Sequence, residues 1–159
     1  MIIDAIIEIG YNTNIKYEFD EKEKRIRCDR VINTSMVYPA NYGYIPNTLG
    51  GDGDPLDILV VCDYSLYPGI IIEVKVIGVL VMEDEKGMDE KIIAVPSNSV
   101  DKNYKDIHTL EDLRPNTLNK INHFFKHYKE NDDNKWCLVH TYENMEFATE
   151  LIKNARFNM

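Results

Sequence analysis

The chain has 159 residues, 44% hydrophobic and 28% charged, enough for one globular domain able to bury roughly 70% of its unfolded surface. That composition excludes disorder and a disulfide mini-protein, and the apolar run from Ile70 is broken at Glu73 and Lys75, far short of the ~20 residues of a spanning helix. With 27 acidic against 18 basic residues the formal charge is −9, which repels nucleic acid and anionic membrane and requires metal ions to mediate binding of any anion.

The chain opens on Met1, Ile2 and Ile3 running directly into Asp4 and Glu8, with no secretory leader pattern, so a cytoplasmic location is expected. Cys28, Cys62 and Cys137 are odd in number, widely spaced and set in apolar runs, and are expected to be buried reduced thiols. No repeat, low-complexity tract or linker divides residues 1–159, which are expected to form one domain.

In chain order, β-rich runs are expected at 4–9, 15–20, 25–32, 58–63, 71–82, 91–95 and 136–142, separated by Gly, Asn, Asp and Pro. In the second run, alternation sets Ile15, Tyr17 and Phe19 on one face and Lys16, Glu18 and Asp20 on the other. A helix begins near Pro115 and carries Leu118, Ile121, Phe125 and Tyr128 on one stripe. Another, over about 144–156, aligns Phe147, Ala148, Leu151, Ile152 and Ala155 to cover a face or edge of the sheet. The expected class is mainly β with flanking helices (α+β): a small, mainly antiparallel barrel with two principal helices.

The densest chemical feature is Gly50-Gly51-Asp52-Gly53-Asp54-Pro55-Leu56-Asp57. Carboxylates crowded to within ~4 Å repel by several kcal/mol at an effective dielectric near 20 unless protons or cations intervene. A hard divalent cation with oxygen ligands is the matching partner, and a solvated acidic turn is the alternative. A second acidic run, 83–91, reads as a hairpin in which Asp89 and Lys91, two apart, share a face. Tyr38, Tyr42 and Tyr44 either aim their hydroxyls at a polar site or pack as a turn on the barrel. No nucleotide-binding loop or covalent-nucleophile motif is present.

The run Asp52-Gly53-Asp54-Pro55-Leu56-Asp57 resembles the D-x-D-P-x-D signature of the soluble family I inorganic pyrophosphatases. The likeness continues in family order through Ile15-Lys16-Tyr17-Glu18, Asp29-Arg30, the Tyr38 to Tyr44 segment, Met82 to Glu85 with Asp89 and Lys91, Val95-Pro96, and His123 to Lys129. It covers nearly the whole chain, departing mainly at the front, where many bacterial relatives carry a longer lead-in.

The resemblance implies a five-stranded OB-like barrel that hydrolyses pyrophosphate to two orthophosphates with several Mg²⁺ ions. It implies Asp52, Asp57 and Asp89 around a first ion with Asp57 shared by a second, Asp84 with Asp89 at a third, and Glu18 at a fourth. Asp54 matches the general base that takes the proton as a metal-bridged hydroxide forms and attacks phosphorus directly. Lys16, Arg30, Lys91, Tyr128 and Lys129 match the phosphate ligands, and Glu8, Tyr42 and Glu85 supporting positions. Competing expectations are a non-catalytic cation- or single-strand-binding barrel, which the net charge opposes, and a metal-dependent hydrolase of nucleotides or short polyphosphates.

Bacterial members are typically hexamers, so a homohexamer is implied. His123 and His127, four apart, fall opposite the apolar stripe of their helix. They face either solvent or a neighbouring subunit, where protonation would weaken assembly.

Overall fold

The computed structural model describes residues 1–157. Its strands are β1 (Ile2–Ile9), β2 (Ile15–Asp20), β3 (Arg25–Val31), β4 (Asn41–Tyr44), β5 (Asp57–Val60), β6 (Ile71–Asp84), β7 (Gly87–Met88), β8 (Lys91–Pro96) and β9 (Cys137–Glu143). Its α-helices are α1 (Pro115–His127) and α2 (Met145–Ala155). Strands β1, β4, β5, β8 and β6 pair in that order, and β6 returns to β1 to close a five-stranded ring. The OB-like barrel expected from the sequence is therefore present.

The ring is antiparallel except between β5 and β8, which run parallel with Asp57 opposite Lys91. That junction requires a crossover, supplied by β6 and the acidic hairpin, so period-2 patterning alone does not reveal it. Strand β6 extends two residues past the expected end, to Asp84, and folds back on β7 through Glu85 and Lys86. The 83–91 run is thus a hairpin. The 41–44 segment, bounded by Pro39 and Pro46, is a ring strand, and Gly43 is required there: a Cβ would lie 1.8 Å from the Ile6 carbonyl oxygen of β1.

Alternation buries both faces of the ring. Leu59, Ile77, Ile93 and Val95 join Ile121, Phe124, Phe125 and Tyr128 of the α1 region in one apolar cluster. Ile3, Ala5, Ile7, Ile58, Val60, Ile92 and Ala94 meet Ala148 and Ile152 of α2 in another. Pro115 starts α1 without needing an amide partner, and Asn144 caps α2 by accepting from the Phe147 amide at 2.9 Å. The stripe expected on α2 holds except at Phe147, which is 46% exposed. The inward line is Ala148, Leu151, Ile152 and Ala155, at i, i+3, i+4 and i+7, and Phe147 sits one residue to its side.

Strands β2 and β3 form a separate two-stranded arm. A bulge at Asp29 of β3 falls between the Lys16–Arg30 and Tyr17–Cys28 pairs, and the strict alternation expected for 15–20 does not hold, since Lys16, Tyr17, Glu18 and Phe19 all border one cavity. The arm also explains a failed expectation: Cys28 is exposed, because β3 pairs only with β2. Cys62 is buried and Cys137 half-buried. Among the described residues no helix is long and apolar enough to cross a membrane.

Candidate active site

The cavity at the mouth of the ring measures about 620 Å³. Every residue to which the resemblance gives a catalytic, phosphate- or metal-binding role borders it: Glu8, Lys16, Glu18, Arg30, Tyr42, Asp52, Asp54, Asp57, Asp84, Glu85, Asp89, Lys91, Tyr128 and Lys129. Ring strands supply the floor, the β2–β3 arm one wall, the 50–57 loop and the acidic hairpin two more, and the residues following α1 the last.

Lys91 is the centre of the floor. Its side chain is 2% exposed, and its Nζ donates to Asp57 Oδ2 at 2.6 Å, Asp89 Oδ2 at 2.9 Å and the Tyr42 hydroxyl at 2.8 Å. The parallel register of β5 on β8 sets Asp57 opposite it, and Asp89, in the short link just before β8, reaches the same ammonium. Burial works against the ammonium, but Asp57, Tyr42 and Asp89 outweigh it and hold Lys91 charged, well above the ordinary lysine range. Burial, then the neighbouring Asp57, pushes Asp89 up despite Lys91, and burial likewise raises the Tyr42 phenol.

At the hairpin, Lys129 Nζ meets Asp84 Oδ2 at 3.2 Å and Glu85 Oε1 at 3.8 Å. Burial would raise Asp84, but the Lys86 amide and Lys129 more than offset it and leave this carboxyl below its usual range. On the arm, Lys16 lies 3.7 Å from Glu18 and 3.5 Å from Asp29, which also approaches Arg30 at 3.9 Å. Glu8 accepts from the Phe19 amide at 2.7 Å, tying ring to arm. Burial, opposed by that bond and reinforced by Asp57 and Glu18, lifts Glu8 to about 7. In the acidic loop Asp54 N–H donates to Asp52 Oδ1 at 3.1 Å, and burial raises Asp52.

The residues matching phosphate ligands and those matching metal ligands are thus interleaved, with lysine ammoniums between the deepest carboxylates. Among the described residues no three acids, histidines or cysteines are already gathered closely enough to hold an ion alone. The inorganic pyrophosphatase family profile matches residues 5–159. The chain belongs to the inorganic pyrophosphatases.

Among pyrophosphatases, the enzyme of Saccharolobus solfataricus is 52% identical over 153 residues, covering 96% of this chain and 89% of its own length. That of Campylobacter jejuni is 49% identical with the same coverage. The Helicobacter pylori pyrophosphatase structure superposes with a TM-score of 0.94 at 44% identity, covering 97% of this chain and 91% of its own. The crystal structure of the Thermus thermophilus pyrophosphatase gives 0.92 at 38%, covering 97% and 88%.

The cavity of this pyrophosphatase has further lining residues to which the sequence assigns no catalytic, phosphate- or metal-binding role. Tyr38 is buried between the Tyr42 and Phe124 rings, with centroids 5.4 and 4.6 Å away. The Tyr38 to Tyr44 segment carries the signal: of the two expectations for its tyrosines, a polar site or packing on the barrel, Tyr38 meets both, packing on rings while bordering the cavity, and Tyr44 borders it too. Asp29, Lys86 and Lys135 also line the wall. Asp29 adjoins Arg30 in sequence, whereas nothing in the order of residues brings Lys135 to the hairpin.

Proposed function

We propose that the chain hydrolyses inorganic pyrophosphate to two orthophosphates with Mg²⁺, the whole chain acting as one pyrophosphatase domain. The observation that carries this reading is the buried Lys91 held between Asp57 and Asp89, with Lys129 similarly placed against Asp84 and Glu85. Carboxylates that share their cavity with phosphate-binding cations suit a polyanion accompanied by divalent cations. The donor set is all hard oxygen, as Mg²⁺ requires, with ligands left over for water and phosphate. Asp52, Asp57 and Asp89 would hold one ion, Asp57 a second, Asp84 with Asp89 a third, and Glu18 a fourth. When bound, Mg²⁺ supplies positive charge to phosphate oxygens and lowers the pKa of water.

The remaining chemistry belongs to the side chains. Lys16, Arg30, Lys91, Tyr128 and Lys129 bind phosphate oxygens and hold the two phosphorus atoms in line with the incoming water. Asp54, on a loop beside the cavity, takes the proton of that water as its oxygen bonds to phosphorus and the bridging P–O bond breaks. Lys91 and Lys129 stabilise charge on the departing phosphate. Tyr42 donates no bond to Lys91 but accepts one, so it orients that ammonium, while Glu8 steadies the arm and Glu85 steadies Lys129.

The same reading makes the protein a cytoplasmic homohexamer. The His123 and His127 rings lie 4.8 Å apart on α1 outside both apolar clusters, suited to a neighbouring subunit. Light scattering should give a hexamer at pH 7.5, and a monomer would refute this. The activity is tested by phosphate release from pyrophosphate, ATP and tripolyphosphate with Mg²⁺. Turnover confined to pyrophosphate is expected, and an intact pyrophosphate pool beside tight oligonucleotide binding would overturn the reading.

A further inference from the structure

Residues 45–56, between β4 and β5, carry Asp52 and Asp54 yet contain Gly50, Gly51 and Gly53, a composition that leaves the backbone with much freedom to lose. Thr48 sits beneath the loop at 2% exposure. Its Oγ1 donates to the Ile45 carbonyl at 2.6 Å and accepts from the Leu56 amide at 3.0 Å, so one hydroxyl grips both sides of the loop's neck. The backbone bond from Ile45 N–H to Leu56 C=O, at 2.9 Å, lies beside it. Leu56 immediately precedes Asp57.

The other side of Thr48 is fixed independently. Its backbone pairs with Arg156, and the Leu49 amide donates to the Ala155 carbonyl at 2.9 Å, fastening the loop to the end of α2. Beyond the neck, Gly50 N–H donates to the Asp54 carbonyl at 2.7 Å. A continuous set of bonds therefore runs from α2 through Thr48 to the neck and on to the carboxylate loop. We infer that Thr48 is a positioning residue for hydrolysis, its hydroxyl setting the separation of Asp52 and Asp54 from Asp57. This rests on the metal-dependent pyrophosphatase reading, and it assigns a role to a residue that touches neither substrate nor ion.

The discriminating variants are Thr48→Val, which keeps the shape but strands the buried Leu56 amide and Ile45 carbonyl, and Thr48→Ser, which keeps the hydroxyl. Three measurements are made on the full chain: Mn²⁺ binding by calorimetry without substrate, hydrogen exchange at the Leu56 amide, and kcat and KM for pyrophosphate with Mg²⁺. Thr48→Val should speed Leu56 exchange and weaken Mn²⁺ binding by about tenfold each, the scale expected for a buried amide left unpaired. Its kcat should fall more than KM rises, because Lys16, Arg30, Lys91 and Lys129 lie outside the loop. Thr48→Ser should restore all three.

Wild-type Mn²⁺ affinity and kcat in Thr48→Val, with Leu56 exchange accelerated, would overturn the inference, as would Thr48→Ser impaired equally or Thr48→Val unable to fold. A wild-type chain that neither binds Mn²⁺ nor cleaves pyrophosphate would instead remove the underlying reading.

Discussion

Replacing Lys91 by methionine removes one charge while keeping most of the side-chain volume. In the absence of metal it leaves Asp57 and Asp89, whose side chains are 20% and 9% exposed, without the ammonium between them. Breaking a buried ion pair in this way costs about 3–5 kcal/mol, and the partial exposure of Asp57 places the effect near the low end, about 3 kcal/mol. For a chain of this size each kcal/mol moves Tm by about 2–4 °C, so a fall of about 6–12 °C is expected in EDTA. Divalent cations should then substitute for the lost charge. Differential scanning calorimetry at one protein concentration, with EDTA and with saturating Mg²⁺, should show the gap between variant and wild type shrinking to less than half on adding Mg²⁺. An equal Tm in EDTA would mean that Lys91 does not compensate buried charge. A gap unaffected by Mg²⁺ would mean that these carboxylates are not where the cation binds.

Asp54→Asn should leave the circular dichroism spectrum and Mn²⁺ binding near wild type and reduce kcat by about 100- to 10,000-fold, since an amide cannot take the proton of the attacking water; wild-type kcat would reject Asp54 as the base. Glu8, raised from 4.5 to about 7 in the fold, binds its proton more tightly folded than unfolded. Metal-free stability should therefore fall as pH rises from about 4.5 through about 7, by about 3 kcal/mol from this group, and Glu8→Gln should flatten that part of the profile in urea titrations. Replacing Mg²⁺ by Ca²⁺ should suppress phosphate release, because the larger ion accepts longer and more variable ligand distances; undiminished turnover would contradict the proposed dependence on Mg²⁺.

What the sequence made legible was mostly local. The strand over 15–20, the apolar stripe of α1 and the carboxylates of 52–57 identify themselves within a few residues, whereas the site as a set was legible only through the resemblance to a known family. The closure of β1 on β6 and the parallel pairing of β5 with β8 join residues far apart, and nothing in either strand alone names its partner. Strand β4 was hidden because its sequence, Asn41-Tyr42-Gly43-Tyr44, is flanked by prolines and reads as a turn, while its glycine serves the close approach to Ile6. Cys28 misled because the expectation of burial passed over its charged neighbours Arg27 and Asp29, and its strand is an exposed arm in space. Thr48 gave no signal at all: a threonine is ordinary until its hydroxyl is seen between Ile45 and Leu56.

The division between ring and arm has a kinetic consequence. A two-stranded hairpin is marginally stable alone, so the β2–β3 arm depends on its packing through Tyr17 and the Glu8 to Phe19 bond, whereas β8 is buried along its whole length. Lys16 and Arg30 therefore ride on an element of lower local stability than the ring strands that carry Asp57 and Lys91. On the proposed reading, opening of the arm would withdraw two of the five phosphate-binding side chains while the carboxylate floor stays intact, giving the departing orthophosphates a hinged exit.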